Sequence, residues 1–127
     1  MDDYVSFDIA KKLEEKGFKQ NYNIFGYKLI FSDENTIKFI SDIGAYENEY
    51  FGINIPCPSI SQVLKWLRGE KNIYCLPFFE QGVDMWFYAI CKPACGSEFP
   101  EFVSESDYDT YELAALSGIE YILDNLI

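Results

Sequence analysis

The stretch from Ile73 to Lys92 constrains the fold of this chain more than any other part. An apolar run that ends at Phe79 meets the polar triplet Glu80-Gln81-Gly82, and a second run returns from Val83 with alternating side-chain character. Because successive side chains of a strand point to opposite faces of the sheet, this pattern predicts an antiparallel hairpin.

The returning strand of this hairpin would have two unlike faces. The face that is uniformly apolar, and is therefore expected to meet the helices, consists of Val83, Met85, Phe87, Ala89 and Cys91. The face that has an aromatic centre and a polar rim consists of Asp84, Trp86, Tyr88, Ile90 and Lys92. A face of the second kind is typical of a half-exposed sheet surface or of a contact with another subunit.

Two amphipathic helices are predicted before this hairpin. The first runs from about Phe7 to Lys16, with Ser6 as its N-cap and Gly17 as its left-handed stop. The second begins at Ser59, because Gln62 three residues later completes a capping box. Between them, segments 23–31 and 36–41 predict a first hairpin, and 42–56 predict a loop, either without strands or with one short strand near Tyr50 to Ile53.

The remaining helix boundaries leave alternatives open. The second helix would stop at Gly69 or at Asn72, and the third would start at Asp109 or Thr110. The third helix has small residues on its apolar stripe and can therefore lie close to the sheet; they are Ala114, Ala115 and Gly118. Residues 96–108 predict an acidic irregular segment.

The order of these elements predicts an α+β fold. Hairpins separated by helices favour a single domain over residues 1–127, with one antiparallel sheet of about four to five strands and three helices mainly on one face. A parallel sheet would need more crossover connections than the pattern provides.

The absence of histidine restricts the chemistry of the chain. Nucleophile systems that use an imidazole base, and metal sites that need an imidazole ligand, are excluded. The four cysteines, Cys57, Cys75, Cys91 and Cys95, lack the closely spaced pairs of a zinc site, so free thiols are expected. We expect no cofactor and no metal.

The net charge of −11 is large for 127 residues and is unevenly distributed. Lys92 is the last basic residue, and acidic residues continue beyond it. The electrostatic field of this negative charge repels nucleic-acid phosphates and anionic lipids, so we expect no direct nucleic-acid binding and no membrane binding. The acidic part is either a solvated face, a docking surface for a basic partner, or a mimic of nucleic-acid phosphates.

The chain start and the apolar runs predict a cytoplasmic protein. Met1-Asp2-Asp3-Tyr4 is acidic and no apolar stretch follows it, unlike a signal peptide. No run reaches the roughly 20 apolar residues of a membrane span.

Six residues are candidates for an interaction surface. Trp66 and Arg68 could present a ring and a guanidinium to a ligand, or could pack on the hairpin and stabilise the helix end. Tyr46 and Tyr50, interleaved with Glu47 and Glu49, lie in the predicted loop. The remaining two candidates are Trp86 and Tyr88.

Segments 7–18, 56–68 and 108–119 together resemble a family of small uncharacterised proteins from gut bacteria, their phages and integrated mobile elements. The chain departs from the pattern of that family at Ser59, where threonine is usual, at Gly69, where an acidic residue is common, and at Leu113, where a second glutamate is common. The family has no established activity. The resemblance therefore implies a fold and a mobile-element setting, and no reaction.

These observations favour a non-enzymatic accessory protein that binds another, unidentified protein through its aromatic sheet face and acidic tail. An acidic inhibitor that occupies a nucleic-acid-binding site is one alternative. An enzyme that uses carboxylates or a thiol is another. A homodimer through the second hairpin is a further expectation.

Overall fold

The computed structural model describes residues 4–19, 27–41, 55–92 and 102–127. In chain order the elements are α1 (Phe7–Glu15), β1 (Tyr27–Asp33), β2 (Thr36–Ser41), β3 (Ile55–Pro56), α2 (Ile60–Trp66), a π-helical turn (Leu67–Lys71), β4 (Tyr74–Glu80), β5 (Met85–Cys91), β6 (Phe102–Val103) and α3 (Tyr111–Asn125). Predictions that concern residues 20–26, 42–54 or 93–101 lie outside the described residues.

The strands form two antiparallel sheets, with the orders β2-β1-β3 and β4-β5-β6. The α+β prediction is confirmed, whereas the prediction of one sheet of four to five strands is wrong. Each hairpin is extended by a third strand, β3 or β6. These strands have only two residues each, which is too short to show the alternation of a strand in the sequence. Contacts divide the chain into two compact units, which contain Tyr4–Pro58 and Ser59–Ile127. The single-domain assignment stays a prediction.

In the first unit, α1 begins and ends as predicted. Ser6 Oγ accepts a hydrogen bond from the Ile9 N–H at 3.3 Å. At the other end Gly17 is left-handed (φ 89°), and the Phe18 N–H donates to the Leu13 carbonyl at 3.0 Å. This is the Schellman arrangement, in which two buried side chains, Leu13 and Phe18, accompany the stop.

In the sheet of this unit, β1 is the central strand and pairs with β2 on one side and β3 on the other. The β1–β2 turn is fixed by Asp33, whose Oδ1 accepts from the Asn35 N–H at 2.8 Å; this bond lowers the pKa of Asp33. β3 pairs with the opposite edge of β1, in the register Ile30 to Pro56. Pro56 is acceptable there because β3 is an edge strand, where a missing N–H is tolerated.

In the second unit, α2 starts on the predicted capping box. The Gln62 N–H donates to Ser59 Oγ at 3.1 Å, and the Ser59 N–H donates to Gln62 Oε1 at 2.8 Å. The helix then widens into the π-helical turn and stops at Asn72, which is left-handed (φ 54°). Of the two predicted stops, Asn72 is therefore the one used, and Gly69 lies inside the turn.

Helix α3 starts from Thr110, whose Oγ1 accepts from the Leu113 N–H at 3.1 Å, and it packs on β4 and β5. The small residues Ala114, Ala115 and Gly118 are all buried. A Cβ at Gly118 would lie 2.5 Å from Cys75 Sγ and 3.1 Å from the Tyr88 ring. The helix thus approaches the sheet as closely as its glycine allows.

The prediction of which β5 face meets the helices is wrong. Cys75 and Tyr88 lie under α3, so the face with Trp86, Tyr88 and Ile90 is the inner face of this sheet. Two polar residues misled the assignment: Asp84 belongs to the turn and Lys92 follows the strand. The small residues of α3 leave space between the helix and the sheet, and the large side chains of the sheet face that includes Tyr88 fill it.

No helix in the described part of the chain is long and apolar enough to cross a membrane.

Candidate interaction surface

Tyr88 is buried under α3 and is not part of a surface. Its side chain is 5% exposed, and burial, followed by the neighbouring Tyr108, raises its pKa to about 12. A neutral phenol packed against Cys75 and Gly118 is a core group. The assignment of Tyr88 to an interaction surface therefore conflicts with its position.

The strand beside Tyr88 is held by a side chain as well as by backbone. The Ser104 N–H donates to the Tyr88 carbonyl at 2.9 Å, and the Tyr88 N–H donates to Ser104 Oγ at 3.1 Å. Residues 105–107 then leave the ladder and are exposed. The chain returns at Tyr108, which exchanges two backbone hydrogen bonds with Trp86, of 2.8 and 2.9 Å. Thus β6 and this bridge lie inside the segment predicted to be irregular.

Trp86 is the centre of a cluster of three rings, here called the aromatic triad: Phe79, Trp86 and Tyr111. Phe79 is the cross-strand partner of Trp86, and their ring centroids are 5.4 Å apart. The Tyr111 ring, from the first turn of α3, meets Trp86 edge-on at 5.6 Å. Phe79 is 42% exposed and Tyr111 38%, and Trp86 is half-buried between them. The triad is therefore an accessible apolar surface of rigid side chains.

Five acidic residues lie in the chain segments that contribute the aromatic triad, close to its rings in the sequence. They are Glu80, Asp84, Asp107, Asp109 and Glu112. Glu80 adjoins Phe79 in β4, and Asp84 ends the turn before β5, with φ 58° and its N–H donating to the Glu80 carbonyl at 2.8 Å. Asp107 and Asp109 flank Tyr108, the bridge partner of Trp86. Glu112 follows Tyr111, so acidic positions adjoin each of the segments that build the triad.

Trp66 pairs with a lysine and not with Arg68. The Lys71 Nζ lies 5.4 Å from the centroid of the Trp66 ring, and Arg68 is exposed. The π-helical turn explains the choice, because its wider turn places a residue five positions later on the same side. This internal cation–ring contact favours the structural interpretation of Trp66 over the ligand-binding one.

The outer face of β4-β5-β6 carries a second apolar surface. Leu76 is 45% exposed and Val103 46%, and they flank the buried Ala89 in neighbouring strands. Beside them, the Phe78 and Phe87 rings stack at 5.8 Å. This is the face that was expected to meet the helices.

The described cysteines are free thiols, as predicted. Burial raises the pKa of Cys75 to about 12 and that of Cys57 to about 11, so both thiols are protonated at neutral pH. A protonated, buried thiol is a poor nucleophile. Within residues 4–19, 27–41, 55–92 and 102–127, no three His, Cys, Asp or Glu side chains are grouped so that they could hold a metal ion.

Of the six predicted surface residues, only Trp86 lies in the aromatic triad. Tyr88 is buried, Trp66 and Arg68 belong to the α2 end, and Tyr46 and Tyr50 lie outside the described residues. Sequence reasoning missed Phe79 and Tyr111. The signal for Phe79 was hidden by the turn: a turn of Glu80-Gln81-Gly82 would oppose Phe79 to Val83, whereas the observed four-residue turn opposes it to Trp86.

No protein-family model, curated protein or solved structure shows a significant match to this chain, so the resemblance of its helical segments to the mobile-element proteins stays a prediction.

Proposed function

We propose that the protein is a non-enzymatic binding protein, which contacts another protein through the aromatic triad and the acidic chain around it. The observation that carries the proposal is the exposure of Phe79 and Tyr111 on either side of Trp86. Aromatic side chains dominate binding energy at interfaces because they bury large areas and lose few rotamers. A role as an accessory protein of a mobile element rests on the resemblance of segments 7–18, 56–68 and 108–119 alone.

The thiol and acidic groups give less support to an enzyme. The raised pKa values of Cys57 and Cys75 keep the two buried thiols protonated. The five carboxylates that adjoin the segments of the triad lie at the end of β4, on the turn, on the bridge segment or in the first turn of α3, and four of them are exposed. Exposed carboxylates of this kind keep the ordinary solvation that a catalytic acid or base must partly lose.

The proposal is tested by capture with matched variants. Wild-type protein, the Phe79→Ser/Tyr111→Ser variant and the Ile37→Ser/Phe39→Ser variant are immobilised and exposed to a lysate of the cells that make the protein. Ile37 and Phe39 are 44% and 68% exposed on the other sheet, so the control removes comparable apolar surface. Captured proteins are purified and their affinities measured at about 0.15 M and about 0.5 M salt.

We expect one protein to bind the wild type and the control with equal affinity. Its affinity for the triad variant should be at least about tenfold lower. The proposal is wrong if the purified partner binds all three proteins equally. It is also wrong if the purified protein turns over a small substrate and one thiol or carboxylate substitution abolishes the turnover. Circular dichroism of each variant shows that the fold is retained.

A further inference from the structure

We infer that the segment docking on the aromatic triad carries arginine, so that a guanidinium lies on the exposed rings and pairs with the flanking carboxylates. This inference rests on the proposed function and adds the chemistry of the partner. It is carried by the charge around the triad and by the positions of the cations of the chain.

The polypeptide that builds the triad is almost without cations. Between Ile73 and Ile127 the only basic residue is Lys92, which follows the end of β5 remote from the turn. The acidic positions nearest the triad are Asp84, two residues before Trp86, Asp109, two residues before Tyr111, and Glu112 beside Tyr111. Glu80 pairs with Met85 and is on the other face of the sheet. A cationic segment would therefore be attracted by these carboxylates, and residues 73–127 supply only Lys92 to compete with it.

Elsewhere the chain places its own cations over its rings. Lys11 Nζ lies 5.6 Å from the Phe7 centroid, and Lys71 Nζ lies 5.4 Å from the Trp66 centroid. In the part of the chain that the structure describes, no lysine or arginine lies over the triad rings. Within the described residues, no cation of the chain therefore competes for the negative faces of these rings.

Arginine fits this surface better than lysine does. The guanidinium is planar and weakly hydrated, so it stacks on an aromatic ring while its edge donates two hydrogen bonds to a carboxylate. The triad offers rings at 5.4 and 5.6 Å centroid spacing, and the exposed carboxylates of Asp84 and Asp109 each come two residues before one of its rings. A lysine ammonium, which is a compact point charge, uses only one of these features at a time.

The test uses synthetic peptides of one design, in which a residue at every third position is arginine, lysine or glutamate and the rest are glycine and serine. Binding is followed by tryptophan emission in a Trp66→Phe background, where Trp86 is the remaining indole. We expect the arginine peptide to bind several-fold more tightly than the lysine peptide, and the glutamate peptide not to bind. The three-carboxylate variant Asp84→Asn/Asp109→Asn/Glu112→Gln should weaken binding of the arginine peptide about tenfold at low salt.

Two matched variants separate the triad from general charge. Phe79→Ala/Tyr111→Ala should weaken arginine-peptide binding about fivefold, whereas Glu14→Gln/Glu15→Gln, on the exposed side of α1, should change it less than about twofold. The inference is overturned if the arginine and lysine peptides bind equally, if neither binds, or if the α1 variant weakens binding as much as the three-carboxylate variant does.

The two proposals can fail separately. If arginine peptides do not bind while the natural partner still requires Phe79 and Tyr111, the triad is a docking surface for another chemistry and only the present inference falls. If the natural partner responds to the three carboxylate substitutions and ignores the loss of Phe79 and Tyr111, the acidic chain acts as a phosphate mimic. That result overturns both proposals.

Discussion

The two faces of the β4-β5-β6 sheet have similar composition and very different surroundings. Under α3, Ile90 is fully buried and Tyr88 is 5% exposed. On the outer face, Leu76 and Val103 keep almost half of their surface accessible. Since both faces are apolar, hydrophobicity along the strand does not decide which one is covered. The covering helix decides it, because Gly118 and its alanine neighbours accept rings and branched side chains at short range.

The largest expected effect separates the two faces directly. Ile90→Ala should lower the free energy of unfolding by about 3 kcal/mol, since it leaves a cavity in a fully packed site. Leu76→Ala should cost under about 1 kcal/mol, because Leu76 is only partly buried. Urea denaturation of both variants checks the comparison. Equal losses that depend on protein concentration would show that the outer face is covered in solution, as in the predicted homodimer.

The next effect tests the close approach of α3. Gly118→Ala should destabilise by about 2 kcal/mol, although alanine favours helices, because the new methyl meets Cys75 Sγ and the Tyr88 ring. Gly69→Ala has open space around its Cβ and should stabilise by up to about 1 kcal/mol. Adding Cys75→Ala to Gly118→Ala should cost less than the sum of the single changes. Additive losses would mean that the Sγ contact does not limit the approach.

The smallest effect appears at alkaline pH. Burial raises the pKa of Cys75 from 9.0 to about 12, so the folded state holds the thiol proton more tightly than the unfolded state does. The resulting stability is complete below pH 9.0 and is lost as the pH rises toward about 12. Between neutral pH and about pH 10, unfolding should become easier by on the order of 1 kcal/mol.

This loss should be smaller in Cys75→Ala than in the wild type, because the substitution removes the buried thiol. Urea midpoints across the pH range measure it. An equal alkaline loss in Cys75→Ala and the wild type would assign the effect to other groups, with Tyr88 the first to examine.

Local signals were readable from the sequence, and long-range pairing was not. The caps at Ser6 and Ser59 depend on neighbours within a few residues and form as the pattern indicates, and Asn72 is one of the two stops that the pattern left open. The third strand of each sheet, β3 or β6, has only two residues and carries no periodicity. Their pairing is decided by distant strands, so no pattern in the local sequence could have located them.

The candidate site shows the same division. Trp86 could be identified from the sequence because it stands on an alternating strand. Its neighbours Phe79 and Tyr111 depend on the turn length and on where α3 begins over the sheet. Asp84 decides the turn length by adopting a left-handed conformation, which aspartate tolerates better than most residues. Sequence reasoning placed the turn at Glu80-Gln81-Gly82 because glycine is the more permissive residue. The pairing expected from that turn opposed Phe79 to Val83 and was therefore wrong.

The hydroxyl of Ser104 has a practical consequence for anyone who wishes to label the molecule. Because Ser104 Oγ accepts the Tyr88 N–H, the ladder closes before Glu105 and resumes at Tyr108 without using the residues between them. A fluorophore or affinity tag inserted between Glu105 and Asp107 would leave both sets of strand hydrogen bonds in place. Such a reporter would be attached within three residues of Tyr108, the bridge partner of Trp86, and so could report on binding at that ring.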